Sequence, residues 1–130
     1  MTRRAALLAL AARVERASEG SRALDEATSC AVFPELRAVN DGETIWIMHG
    51  QRVRILDYSS SLDAALSLVP EGWFLDLHDW RWCEESCWHA ALLCNAPAPR
   101  EGTGFVAARA ATPALALVGA ALRARAAMEE

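Results

Sequence analysis

Four side chains able to ligate a metal fall within a dozen residues: His78, Cys83, Cys87 and His89. Imidazole nitrogen and thiolate sulfur are the donors that tetrahedral zinc prefers. The spacing argues against such a site, because zinc turns usually place cysteines two residues apart. Here Glu84, Glu85 and Ser86 separate Cys83 from Cys87. Side chains along a hairpin also alternate between faces, so four donors on its two arms are not expected to converge. No metal and no cofactor is expected. A disulfide between Cys83 and Cys87 would need close approach across the turn, and a reducing cytoplasm disfavours it. Cys30 and Cys94 read as half-buried thiols that pack as small apolar groups.

Cys83 with His78, or Asp76 with His78, is the pairing of types that nucleophilic or general-base catalysis uses. Neither pair comes with a signal for an oxyanion hole. Ser59, Ser60 and Ser61 lack the Gly-x-Ser-x-Gly elbow and read as a helix cap. Glu101-Gly102-Thr103-Gly104 is too short a glycine pattern for a phosphate loop. All 13 basic residues are arginine, so no Schiff-base or phosphate-loop lysine exists. A net charge of −4 without a basic cluster disfavours direct binding of nucleic-acid phosphates. Binding is thus expected over catalysis. A small-molecule binder would need a deep pocket with inward arginines such as Arg52 and Arg54.

The tryptophans carry more information. Trp73, Trp80, Trp82 and Trp88, four of the five, fall in or beside one predicted hairpin. Period-two alternation puts Trp80 and Trp82 on the face of Asp76 and His78, with Leu75, Leu77, Asp79 and Arg81 opposite. If the leucine face packs on helices, the two indoles face solvent. With Glu84 and Glu85 at the turn they form the expected contact surface for a protein partner. The competing reading buries the rings in a two-sided core.

These residues need elements to position them. One domain over residues 1–130 is expected from the length, and 53% hydrophobic with 23% charged residues is a globular composition. No apolar run approaches the ~18 residues that span a bilayer. The apolar stretch after Arg3-Arg4 continues with helical period into Arg13, Glu15 and Arg16. It therefore reads as a structural helix and not a secretory signal, and a cytoplasmic location is expected. Leu7, Leu10, Ala11 and Val14 form its inner face, and Gly20 is expected to stop it in a left-handed turn. Ser21 caps a second helix over residues 22–31, closed by Pro34. Strands are expected over residues 36–39, 44–48 and 52–56, with turns at Asn40-Asp41-Gly42 and His49-Gly50. Leu62, Ala65, Leu66 and Val69 mark one face of a short helix. The hairpin covers residues 73–82 and 87–94, a Pro/Gly loop follows over 95–104, and residues 105–108 make an edge strand. Thr112-Pro113 opens a last helix to about residue 128, with Leu115, Val118 and Leu122 inward. The expected class is α+β: a mostly antiparallel sheet flanked by the amino- and carboxy-terminal helices, similar to an α/β/α sandwich.

Three stretches, in order, carry a family resemblance: Leu24-Asp25-Glu26-Ala27, then Tyr58 to Leu66 with Leu68-Val69-Pro70-Glu71-Gly72-Trp73, then Thr112 to Leu117 with Ala120 to Ala124. The chain resembles the phage α/β/α-sandwich domain proteins, small proteins of phages and prophages, over roughly half its length. Residues 31–57 and the cysteine-bearing hairpin have no counterpart in that pattern. The resemblance implies a phage or prophage origin and a sheet flanked by helices, and supplies no catalytic residues. For a compact phage-encoded domain it implies an accessory protein that binds a host protein, such as an inhibitor of an antiviral defence component. The alternatives are a protein that sequesters a nucleotide signal and a Cys/His-dependent hydrolase. Self-association as a homodimer is compatible with all three.

Overall fold

The computed structural model describes residues 2–80, 87–94 and 104–129, with the backbone alone at Asp41, Asp79 and Trp80. In chain order it forms α1 (Arg3–Arg16), α2 (Arg22–Val32), β1 (Arg37–Asp41), β2 (Glu43–Met48) and β3 (Gln51–Val53). It continues with α3 (Leu62–Leu66), β4 (Trp73–Trp80), β5 (Cys87–Cys94), β6 (Phe105–Ala110) and α4 (Pro113–Ala127). The class is α+β, with antiparallel strands and both terminal helices packed against them. The strands divide into two three-stranded sheets, β1-β2-β3 and β4-β5-β6.

Helix α4 is the centre of the molecule. Thr112 caps it, its hydroxyl accepting from the Leu115 N–H at 3.2 Å, and Pro113 follows where no N–H is needed. Sequence periodicity assigns it one inward face, yet every residue from Ala114 to Leu122 is buried. Its apolar composition explains this, since alanines, leucines and a glycine leave no polar stripe for water. Helix α1 lies antiparallel beside it, burying Leu7, Leu10, Ala11 and Val14 as their spacing predicts. At one end Arg3 meets Glu129 at 3.0 Å. Toward the other, Arg123 Nε and Nη2 grip the Glu15 carboxylate at 2.9 and 2.6 Å. On a third side Arg125 Nε donates to the Leu68 carbonyl at 2.8 Å, just past α3.

The sheet β4-β5-β6 presses one face onto this helical layer. Register places Trp73, Leu75 and Leu77 of β4 beside Cys94, Leu92 and Ala90 of β5. Leu92, Ala90 and Trp88 continue to Val106, Ala108 and Ala110 of β6. Trp73, Ala90, Leu92, Ala108 and Ala110 belong to the core, and Leu77, Trp88, Cys94 and Val106 pack against it. The first sheet stands apart: its strands make no substantial contact with any helix. Its hairpin turn is the expected His49-Gly50, both in the left-handed region at φ 53° and 76°. Strand β3 stops at Val53, two residues before the buried Ile55 ties the chain back to the body. The Arg22 guanidinium donates to the Ile55 carbonyl there at 3.2 Å.

Two expectations about local structure are corrected. Gly20 is not left-handed; α1 ends at an extended Ala17. Gly20 is required by proximity, because an added Cβ would lie 2.6 Å from the Ser59 carbonyl carbon. That approach lets Asp25, 4% exposed, accept from the Ser59 N–H at 2.8 Å and from its hydroxyl at 2.6 Å. The Ser59 hydroxyl oxygen in turn accepts from the Ser21 N–H at 2.9 Å. In α3, Leu62 and Leu66 are exposed, and Ala65 with Leu68 provide the buried contacts. The helix has only five residues, too few for an i to i+7 face to form. Replacing Asp25 with alanine leaves the buried Ser59 N–H unpaired and should lower stability by about 1–3 kcal/mol. Gly20→Ala should also destabilise. Urea denaturation of both variants checks this; wild-type midpoints would show that the clasp is dispensable.

Candidate functional site

Among the described residues no helix covers the face of β4-β5-β6 turned away from α1 and α4, although Ala91 at its middle is buried. In the first of its rows Phe74, Leu93 and Phe105 stand side by side across all three strands. They are 60%, 51% and 48% exposed. Antiparallel pairing forces this line, since directly opposed residues share a face. The second row is Asp76, Ala91 and Ala107, and the third is His78, His89 and Arg109. Beyond them the backbone of Trp80 pairs with that of Cys87 at the end of the ladder. An uncovered apolar line three strands wide, bordered by polar groups, has the make-up of a protein contact surface.

The polar row has its own chemistry. The His78 and His89 rings lie 4.9 Å apart between centroids, inclined by 44°. His78 Nδ1 is 3.7 Å from the Asp76 carboxylate, beyond hydrogen-bond length. His89 on the central strand is pushed below its ordinary value of 6.5, first by burial and then by His78 and Arg109; Asp76 opposes the shift.

The expected site residues distribute as follows. His78, His89 and Cys87 share the open face, and Cys83 lies outside the described residues. Among the described residues no group of three or more His, Cys, Asp or Glu side chains is arranged to hold a metal ion. Cys30 and Cys87 are free thiols, and Cys30 is exposed where half-burial is expected, whereas Cys94 is half-buried. Trp82, Glu84 and Glu85 lie outside the described residues, as does the side chain of Trp80. Trp73 and Trp88 join the helix-facing core, so for these two the core reading holds. Arg52 on β3 and Arg54 just after it are both exposed and do not turn inward. Arg52 approaches Glu43 at 3.8 Å. A cavity of about 230 Å³ does exist between Arg4, Leu8, Trp73, Val106 and Arg123. It is smaller than the ~300–1,000 Å³ usual for small-molecule sites, and its Arg123 is held by Glu15. Among the described residues no helix is long and apolar enough to cross a membrane.

Phe74, Leu93 and Phe105 are the functional candidates that reading the sequence misses. Phe74 has the same parity as Asp76 and His78, which is a signal. Its alignment with Leu93 and Phe105 is a matter of register, which the long connection between β5 and β6 does not encode. Comparison with models of known protein families, with curated proteins and with solved structures gives no match. The face therefore has to be read from its own chemistry.

Burial of neutral His89 fixes a pH effect. Below about pH 6.5 the unfolded chain takes up this proton before the folded one, so acidification costs stability until the folded-state value is passed. NMR titration should give His89 a midpoint below 6.5, and urea stability should fall with pH in that window. A His89 midpoint at or above 6.5 would contradict the packing described.

Proposed function

We propose that this protein works by binding another protein through the open face of β4-β5-β6, and not by catalysis. The observation that carries the reading is the exposed line of Phe74, Leu93 and Phe105. Leaving about half of each of three large apolar side chains in water forgoes about 1 kcal/mol each that full burial would return. A partner that covers them recovers that energy, and aromatic anchors at the centre of a patch are the usual hot spots. Asp76, His78 and Arg109 then supply a polar rim that fixes orientation.

The hairpin of β4 and β5 leads into Trp82, Glu84 and Glu85, so the contact surface proposed from the sequence adjoins this face along the chain. The family resemblance extends the proposal to a phage-encoded protein whose partner is a host protein, such as a component of antiviral defence, met in the cytoplasm. The geometry supports the alternatives less well. A sequestering protein needs a deep, arginine-lined pocket, whereas Arg52 and Arg54 point to solvent. A hydrolase needs a concave site, whereas Asp76 and His78 lie on an open strand, 70% and 41% exposed.

The double variant Phe74→Ser with Leu93→Ser should fold within about 0.5 kcal/mol of wild type, because both side chains are largely exposed. It should lose at least tenfold in affinity for a partner that wild type retains stoichiometrically, as affinity purification followed by calorimetry would measure. Trp80→Ala with Trp82→Ala should likewise keep its stability and lose binding. Unfolding of that second pair would return the indoles to the core.

A further inference from the structure

We infer that the first sheet, β1-β2-β3, is a conformational device: it opens and closes as a unit of its own while the rest of the fold stays intact. Packing, polar ties and the ladder itself all point that way. Among the described residues of 37–53, none belongs to the buried core, and none is among the partly buried apolar residues that lean on it. Ile45, Trp46, Ile47 and Met48 are the most covered side chains of β2, and they are only half-buried. The strands make no substantial contact with a helix or with β4-β5-β6. A small sheet needs an apolar face packed against something to be stable by itself.

The polar contacts stay inside the sheet as well. The Thr44 hydroxyl donates to the Asn40 side-chain oxygen at 3.0 Å, and Arg52 approaches Glu43 at 3.8 Å. Among the described side chains, no hydrogen bond or ion pair ties the sheet to the body. The ladder is thin, since β3 has three residues and pairs only with Trp46, Ile47 and Met48. One group inside the sheet favours opening. The indole nitrogen of Trp46 is buried without a hydrogen-bond partner, and water would satisfy it once the strands part.

The body fixes where the opening stops. Phe33 packs against the core on one side, and Ile55 is buried on the other, its carbonyl accepting from Arg22 at 3.2 Å. Just beyond, Asp25 holds the Ser59 N–H and hydroxyl, so both ends of the segment are pinned to each other. Parting β1, β2 and β3 therefore removes nothing that α1, α4 or β4-β5-β6 depends on. Regions with few buried apolar contacts open at a lower free energy than the whole fold.

Hydrogen exchange of the full chain, followed amide by amide by NMR, tests this. After correction for intrinsic rates, β2 amides should exchange at least about 100-fold faster than those from Leu117 to Ala121 in α4. Below the global transition urea should speed β2 exchange only slightly, because opening one small sheet exposes little surface. Ile47→Ser, in the central strand, should raise β2 exchange at least about tenfold further. It should leave the urea midpoint of helical circular dichroism at the wild-type value, even if the sheet then unfolds altogether. Two results would overturn the inference by showing a single cooperative unit. One is β2 amides as slow as those of α4 with the same urea dependence. The other is an Ile47→Ser helical midpoint that falls in step with β2 protection.

Discussion

Everything in this fold is arranged around a helix that has no wet side. Helix α4 is buried without interruption from Ala114 to Leu122, so the sheet, α1 and the turn after α3 must each cover part of it. Its surface is mostly alanine and glycine, and neighbours have to come close to exclude water. The sheet does so with small residues of its own, Ala90, Ala108 and Ala110. A Cβ on Gly119 would stand 3.1 Å from that of Ala108 and 3.2 Å from Glu15 Cγ, which measures how tightly three elements meet at one point. Close packing of this kind gains dispersion contacts but tolerates little change of volume. The Glu15–Arg123 pair closes the same junction, and the hydrogen bonds to Glu15 hold Arg123 above its ordinary value. With both side chains partly exposed, it sets how α1 lies on α4 more than it adds stability.

The open face follows from that arrangement. All the helical cover is drawn to one side of β4-β5-β6, because that is where α4 lies. A pleated sheet nevertheless projects side chains both ways, so every second residue of these strands points where no helix can reach. In an ordinary half-wet sheet those positions would be polar. Here the row nearest the loop end holds two phenylalanines and a leucine, and the polar groups are set further along the strands. Apolar content at positions the core does not use is what the proposed binding role rests on. The first sheet, nearly independent of the helices, adds half-buried Trp46, Ile45 and Ile47 outside the core.

The sequence by itself determined the local elements and the core faces of its longest helix signals. Ser21, Ser61 and Thr112 cap where their hydroxyls predict, and His49-Gly50 turns a hairpin because its backbone requires it. Leu7, Leu10, Ala11 and Val14 go inward because 3.6-residue periodicity is a local property of the chain. Tertiary structure decided what depends on neighbours. Only packing shows that α4 is covered on every side, that Gly20 is there to let Ser59 reach Asp25, and that α3 buries Ala65 and Leu68. The candidate face was half legible: strand parity placed Asp76 and His78 together and the leucines opposite them. The alignment of Phe74 with Leu93 and Phe105 was not, because residues ten or more apart become neighbours through strand register. Register is set by which face finds a helix to bury itself against, and no single strand carries that information.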